Sequence, residues 1–367
     1  MEGDIFEQGY VDFENGKITA VGAAADAPAY DGEIYDAAGK IVWPGLVESH
    51  CHVGIHEEGM RQEGRDADES SDPLTPQLHA LDAINPYDRG FQKALSVGIT
   101  SMLVSPGSGN IVNGQIAAIK TFGNDVDKML IRQPVAMKMA FGENPKDHGK
   151  KGKSPVTRMA VAAMLRELLI KTQEYAAKKE KGIDVPFDYK LESMIPVLKG
   201  ELYAHIHVHR ADDILTALRI AREFHLKVDL IHATEGNLVK ERIKEDGVMC
   251  SMGPSLRAPA KPEAKAKSFQ TDVELVKYGC DIAIMTDHPT LTVEALPICA
   301  GLACKAGLSY MDAAKAITIN AARVGHIADR VGSLAVGKDA DIVVFDGDPL
   351  ELATKPEAIF IEGKRVK

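Results

Sequence analysis

No apolar stretch in this chain of 367 residues approaches the roughly 20 residues of a membrane span, so no membrane partner is expected. Basic residues are outnumbered, with 43 Lys and Arg against 53 Asp and Glu. The resulting net charge of -10 argues against nucleic acid or an anionic membrane surface as partner. Paired cysteines are also lacking. The five are Cys51, Cys250, Cys280, Cys299 and Cys304, an odd number without compact spacing, which excludes a disulfide framework. Residues 1–14 are acidic and poor in apolar side chains, unlike a signal peptide. The expected compartment is the cytoplasm, with a small-molecule substrate as partner and a homo-oligomer as a base-rate expectation.

The chain is rich in placed histidine. Three separated segments carry it: Ser49-His50-Cys51-His52, His205-Ile206-His207-Val208-His209 and Thr286-Asp287-His288. Each follows an apolar, β-branched run. With His232, these segments hold seven of the 12 histidines. On a strand, His-x-His puts both imidazoles on one side. Alone that pattern says little. Three such clusters at strand ends point to a metal centre built from imidazole and carboxylate, with one coordination position left open.

The order of elements supports this reading. Residues 10–43 read as short strands, with Glu14-Asn15-Gly16-Lys17 as a tight turn and further strands near 33–35 and 40–42. The C-terminus returns to this style at 341–345 and 359–364. One small β-sandwich domain built from both termini, residues 1–45 and 330–367, is expected. Between them, strands are expected at 46–53, 99–104, 114–120, 134–140, 202–208, 227–233, 247–252 and 281–287. Helices separate most of them. The clearest span 155–180, opening at Ser154-Pro155, and 211–224. Eight such units over residues 46–329 predict a parallel (β/α)₈ TIM barrel. Residues 54–98 exceed one crossover, hold Pro73, Pro76 and Pro86, and are expected to form a lid or partner-contact loop.

In such a barrel the reactive residues lie where strands end. His50 and His52 close the first strand, His207 and His209 the fifth, His232 the sixth and Asp287 the eighth. Strand alternation turns Cys51 away from its neighbours, as a packing residue. His205 sits deeper on the same side as His207. His50, His52, His207, His232 and Asp287 are the expected metal ligands. Asp287 is also the expected general base. Lys138, on the fourth strand, is the instructive case. A cationic amine would be repelled by a metal, so it is either carbamylated by carbon dioxide into an anionic bridging ligand or points away. Glu143 is the competing carboxylate. His209, Arg210, Glu143 and His288 are the remaining candidates around the substrate, with Arg210 suited to a substrate carboxylate. The Gly-rich run 105–110 lacks the Lys-Ser/Thr of a phosphate cradle and reads as a rim loop. The run Lys150-Lys151-Gly152-Lys153 reads as a solvated loop.

Together these residues resemble the amidohydrolase superfamily. The signatures are Pro44-Gly45-Leu46-Val47-Glu48-Ser49-His50-Cys51-His52, His207, His232, Thr286-Asp287 and the tail Val331 to Val343. The resemblance covers essentially the whole chain and is greatest to the imidazolonepropionase-related and prolidase-like branch. It implies a metal-activated water attacking an amide or cyclic amide carbon. In two-metal members His50 and His52 hold one ion, His207 and His232 the other, and a carbamylated Lys138 bridges them. In one-metal members the strand-five histidine joins His50, His52 and Asp287. Gly142-Glu143-Asn144-Pro145 departs from the common strand-four pattern, which leaves the metal count open between one and two. Zinc leads, with iron, manganese or nickel also suited to these donors. The expected reaction is hydrolysis of a C–N bond in a small amide, cyclic amide, dipeptide or N-acyl amino acid. The alternatives are a one-metal deaminase and a non-catalytic scaffold.

Overall fold

The computed structural model describes residues 1–367. At the N-terminus, β1 (Gly9–Glu14) and β2 (Lys17–Ala23) pair antiparallel. Asn15 and Gly16 both take positive φ, the conformation that a two-residue hairpin turn requires. Next comes β3 (Ile41–Pro44). Residues 33–35 form no strand, contrary to expectation, and Ile34 is exposed. So short a segment offers too little apolar surface to hold a sheet edge.

The central sheet holds β4 (Leu46–Cys51), β5 (Ile99–Val104), β6 (Val112–Lys120), β7 (Leu130–Ala140), β8 (Tyr203–Val208), β9 (Val228–His232), β10 (Cys250–Met252) and β11 (Ile282–Ile284), hydrogen-bonded in that order. These are the eight expected strands, although β10 and β11 have only three residues each and β11 ends three residues before Asp287. One orientation differs. β6 runs antiparallel to both β5 and β7, while the other pairs are parallel. Residues 105–111 between β5 and β6 are too few for a crossover helix, so the chain can only turn back.

The sheet curls until its edges meet. Where β4 and β11 end, Asp287 N donates to His50 O at 3.2 Å and His52 N donates to His288 O at 2.8 Å. Glu48 reinforces this seam: Thr286 N and Oγ1 donate to its Oε2 at 3.0 and 2.7 Å, and His50 N donates to its Oε1 at 3.1 Å.

Helices on the outer face bury their apolar stripes. The helix Ala211–Phe224 buries Ile214, Ala217, Leu218 and Ala221 and ends at His225 in a left-handed conformation. The other long helix spans Arg158–Glu180, and its cap is Thr157 rather than Ser154, because the Thr157 hydroxyl accepts from Ala160 N. In the long 54–98 connection, the helix Arg89–Ser96 is the crossover into β5, and Leu74 and His79 bridge onto β6 at Val112 and Gln115. The short helix Ile319–Val324 plugs the base of the barrel, where Ala321, Ala322 and Val324 share an apolar cluster with Val47, Leu103, Ile116 and Ala283.

β12 (Ile342–Phe345), β13 (Pro356–Ile361) and β14 (Lys364–Arg365) join β3 in one antiparallel sheet. Ile18, Ile342, Val344 and Phe360 pack between this sheet and the β1–β2 hairpin, so the small sandwich draws on both termini.

Candidate metal centre

The ends of the barrel strands converge on an open cavity of about 520 Å³, within the range of small-ligand sites. At its floor, Asp287 Oδ1 lies 3.5 Å from His50 Nε2 and 3.3 Å from His52 Nε2. Beside this triplet stands a second, His207, His209 and His232, whose potential ligand atoms lie within 4.8 Å of one another. The rings of His50 and His232 meet edge to face across the two groups, with centroids 6.1 Å apart. His232 and Asp287 both take positive φ, so the backbone leaves the β region at the very residues that turn into the cavity.

The imidazoles are held from behind. His52 Nδ1 donates to Ser105 O at 2.6 Å, and His232 Nδ1 donates to Gly253 O at 2.7 Å. A carbonyl can only accept, so both rings carry their proton on Nδ1 and leave the Nε2 lone pair bare. Nδ1 of His207 meets Ser108 Oγ at 3.0 Å, and Nδ1 of His209 meets Thr234 Oγ1 at 2.7 Å. His209 Nε2 has no partner. His207 Nε2 is approached by Asn144 Nδ2 at 3.4 Å and Lys261 Nζ at 3.5 Å, which a metal there would displace. Rings fixed through Nδ1 with Nε2 turned inward are the arrangement a divalent ion requires.

Burial, reinforced by neighbouring positive charge, pushes His50, His207 and His209 well below the ordinary imidazole range. His232 falls to about 3, again mainly through burial. These rings are therefore neutral at pH 7, as ligands must be. For Asp287, burial opposes ionisation, but the basic side chains around it, His52, His232 and Lys138, hold the carboxyl well below the usual carboxylate range.

Lys138 points into the centre. It is wholly buried, and its Nζ lies 3.1 Å from His50 Nε2. Burial lowers its amine to about 7, against the pull of Asp287. The donor set fits one or two divalent ions, provided the amine there is uncharged or converted to an anion.

Arg210 is not brought to the cavity: it caps the helix 211–224 at the surface and pairs with Asp212. A partner two residues away captures its guanidinium more readily than a substrate could. Glu143 likewise stays out of the cavity wall. Gly142, at positive φ, turns the chain after β7, and Glu143 N donates to Glu263 while the neighbouring Asn144 lines the cavity. His288 is buried beside the seam, with Nδ1 accepting from Val293 N, and does not line the cavity. His205 lies deeper, with Nε2 donating to Val324 O at 3.0 Å. Cys51 packs against Met102 and Leu103. The 105–110 run does form a rim, since Ser105 and Ser108 brace two of the imidazoles.

Four cationic residues of the wall are Lys151, Arg257, Lys261 and Lys267. Lys151 belongs to the run expected to be solvated. The other three lie between β10 and β11, and a cluster of basic residues just beyond a strand end was the signal that sequence reasoning passed over. Lys261 Nζ bonds Asn144 Oδ1 at 2.7 Å and lies 3.5 Å from His207 Nε2.

A family model of the amidohydrolase family matches residues 41–366. The chain belongs to the amidohydrolase family. An amidohydrolase from Thermotoga maritima MSB8, known as a crystal structure, is 38% identical and superposes with a TM-score of 0.94 over 97% of this chain and 94% of that one. An imidazolonepropionase from Sphingopyxis alaskensis is 24% identical over 96% of this chain and 91% of its own length. Amidohydrolase tasK of Hapsidospora irregularis is 28% identical over 95% of this chain, which spans only 39% of that relative's length. The chain is thus an amidohydrolase, a hydrolase acting on C–N bonds. No helix in it is long and apolar enough to cross a membrane.

Proposed function

We propose that this amidohydrolase cleaves the C–N bond of a small polar amide that carries a carboxylate, such as a dipeptide or N-acyl amino acid. The observation that carries the proposal is the single oxygen, Asp287 Oδ1, facing two imidazoles at 3.5 and 3.3 Å on the floor of an open cavity. The cationic wall supports the choice of an anionic substrate. Arg257 and Lys267 are suited to orient its carboxylate, whereas Lys261 is paired with Glu263 at 2.8 Å; the chain as a whole is acidic.

In this reading His50, His52 and Asp287 hold one divalent ion, with zinc the first choice. His207 and His232 hold a second. Bound there, the metal supplies Lewis acidity, lowering the pKa of water towards roughly 7 and polarising the substrate carbonyl. Asp287 accepts the proton of the attacking water on its carboxylate and delivers it to the departing nitrogen. His209 Nε2, unpartnered at the cavity wall, contacts substrate. Lys138, as a neutral amine, adds carbon dioxide through its nitrogen lone pair. An N–C bond would form as one C=O π pair of carbon dioxide moves to oxygen, one proton would leave the nitrogen, and the resulting carbamate would offer anionic oxygens to the metals held by the two triplets.

Metal content per chain and intact mass, on protein purified without chelator, come first. A panel of dipeptides, N-acyl amino acids, cyclic amides and amines follows, with separate detection of released amines and ammonia. Near two metals, a carbamylated Lys138 and amine release are expected. Ammonia release from amines with no amide cleaved would replace this reading with a one-metal deaminase. A chain that binds no metal after reconstitution would be a scaffold.

A further inference from the structure

The barrel holds a second set of coordinating side chains, deeper than the cavity. His205 is the third residue of β8, Asp229 the second of β9, and His326 follows the helix that plugs the base. His205 and Asp229 stand side by side in the sheet register. Asp229 precedes His232 by three residues, about 10 Å along a strand, which separates this cluster from the cavity floor.

Asp229 Oδ2 lies 3.8 Å from His205 Nε2 and 3.4 Å from His326 Nε2. Around a tetrahedral ion with ligand bonds of about 2.05 Å, neighbouring ligand atoms stand about 3.3 Å apart. The Asp287 oxygen and its two imidazoles show the same spacing, 3.3 and 3.5 Å. His205 Nε2 donates to the Val324 carbonyl at 3.0 Å; moving that proton to the unpartnered Nδ1 frees both the ring nitrogen and the carbonyl oxygen, a fourth donor.

Two of the donor atoms have no other use. Met249 N donates to Asp229 Oδ1 at 3.2 Å, but Asp229 Oδ2 and His326 Nε2 have no hydrogen-bond partner. The Asp229 side chain is only 4% exposed, and its only ion-pair partners are these two imidazoles. A carboxylate so buried is costly without a cation. His326 is the accessible side, with its side chain 26% exposed.

We infer that His205, Asp229 and His326, with the Val324 carbonyl, bind a divalent transition-metal ion at the base of the barrel. Two imidazoles and a carboxylate suit zinc, and four protein donors close the coordination sphere, as in a structural site. Bound there, the ion ties β8 and β9 to the plug segment. This inference does not depend on the reaction proposed for the cavity.

The test is zinc titration of the metal-free full-length protein, with elemental analysis and anomalous diffraction at the zinc edge. The wild type is expected to show a peak among His205, Asp229 and His326 in addition to any in the cavity. His326→Asn is expected to lose that peak and one zinc equivalent per chain while keeping the cavity metal. The absence of a basal peak at saturating zinc, or the same number of equivalents in wild type and His326→Asn, would overturn the inference and leave an ordinary His–Asp ion pair. The wild-type map is decisive even where a variant fails to fold.

Discussion

The Nζ of Lys138 lies 3.1 Å from Nε2 of His50, in a part of the barrel where the lysine is wholly buried. With burial lowering its amine to about 7, a substantial neutral fraction exists near neutral pH, and only that form can react with carbon dioxide. Lys138→Met preserves the bulk of the side chain and removes the nucleophile. Activity should fall by at least about 10–100-fold. Intact mass should show the gain of one carbon dioxide in the wild type and none in the variant. An unmodified wild type with two bound metals would remove Lys138 from the bridging role.

Asp287→Asn keeps the shape of the side chain but cannot accept a proton. Turnover should drop by about 10²–10⁴-fold while the circular dichroism spectrum stays unchanged. Wild-type turnover in this variant would eliminate Asp287 as the proton carrier.

Acid should destabilise the metal-free protein within a defined window. Burial lowers His232 and His205 to about 3 and His288 to about 4. Unfolded, each titrates near 6.5. Above 6.5 the folded and unfolded forms are both neutral, and the stability is fully present. As the pH falls from about 6.5 towards 3, the unfolded chain takes up protons that the native state refuses, so stability is lost. Melting temperatures of apoprotein at pH 8 and pH 5 measure this, and an equal or higher value at pH 5 would contradict it. Metal retention should decline over the same range, because imidazole must be neutral to bind.

Gly253 controls the orientation of His232. Its φ is +137°, and an added Cβ would clash with Met285 O, on the segment leading to Asp287. Gly253→Ala must therefore shift both the carbonyl that holds His232 and the approach to Asp287. Metal affinity should weaken by about 10–100-fold. Isothermal titration with zinc against the wild type reads this directly.

Glu48 accepts from Thr286 N, Thr286 Oγ1 and His50 N across the barrel seam. Glu48→Ala strands three buried donors and should cost about 3 kcal/mol or more. Glu48→Gln keeps a carbonyl acceptor and should cost less. Chemical denaturation of both variants orders them, and equal losses would refute the seam role.

Eight strands, their order and the residues that end them were legible in the sequence, because apolar β-branched runs closed by a lone polar residue are a local signal. His50, His52, His207, His232 and Asp287 stood out on that basis alone. What lay outside local pattern was decided by tertiary structure. The reversal of β6 followed from the shortness of 105–111. Arg210 was withdrawn by Asp212 and Glu143 by the turn at Gly142, while Asn144 and Lys261 entered from segments without periodicity. Whether Lys138 faced the centre or away was open in the sequence, since a charged amine beside a cation is unfavourable unless it is carbamylated. Only tertiary packing turned it inward, with Nζ 3.1 Å from His50 Nε2, where burial weakens the amine's hold on its proton. The same holds for His205, Asp229 and His326: 97 residues separate Asp229 from His326 in the chain (326 − 229), and only closure of the barrel over its plug brings their donor atoms within 3.4 Å.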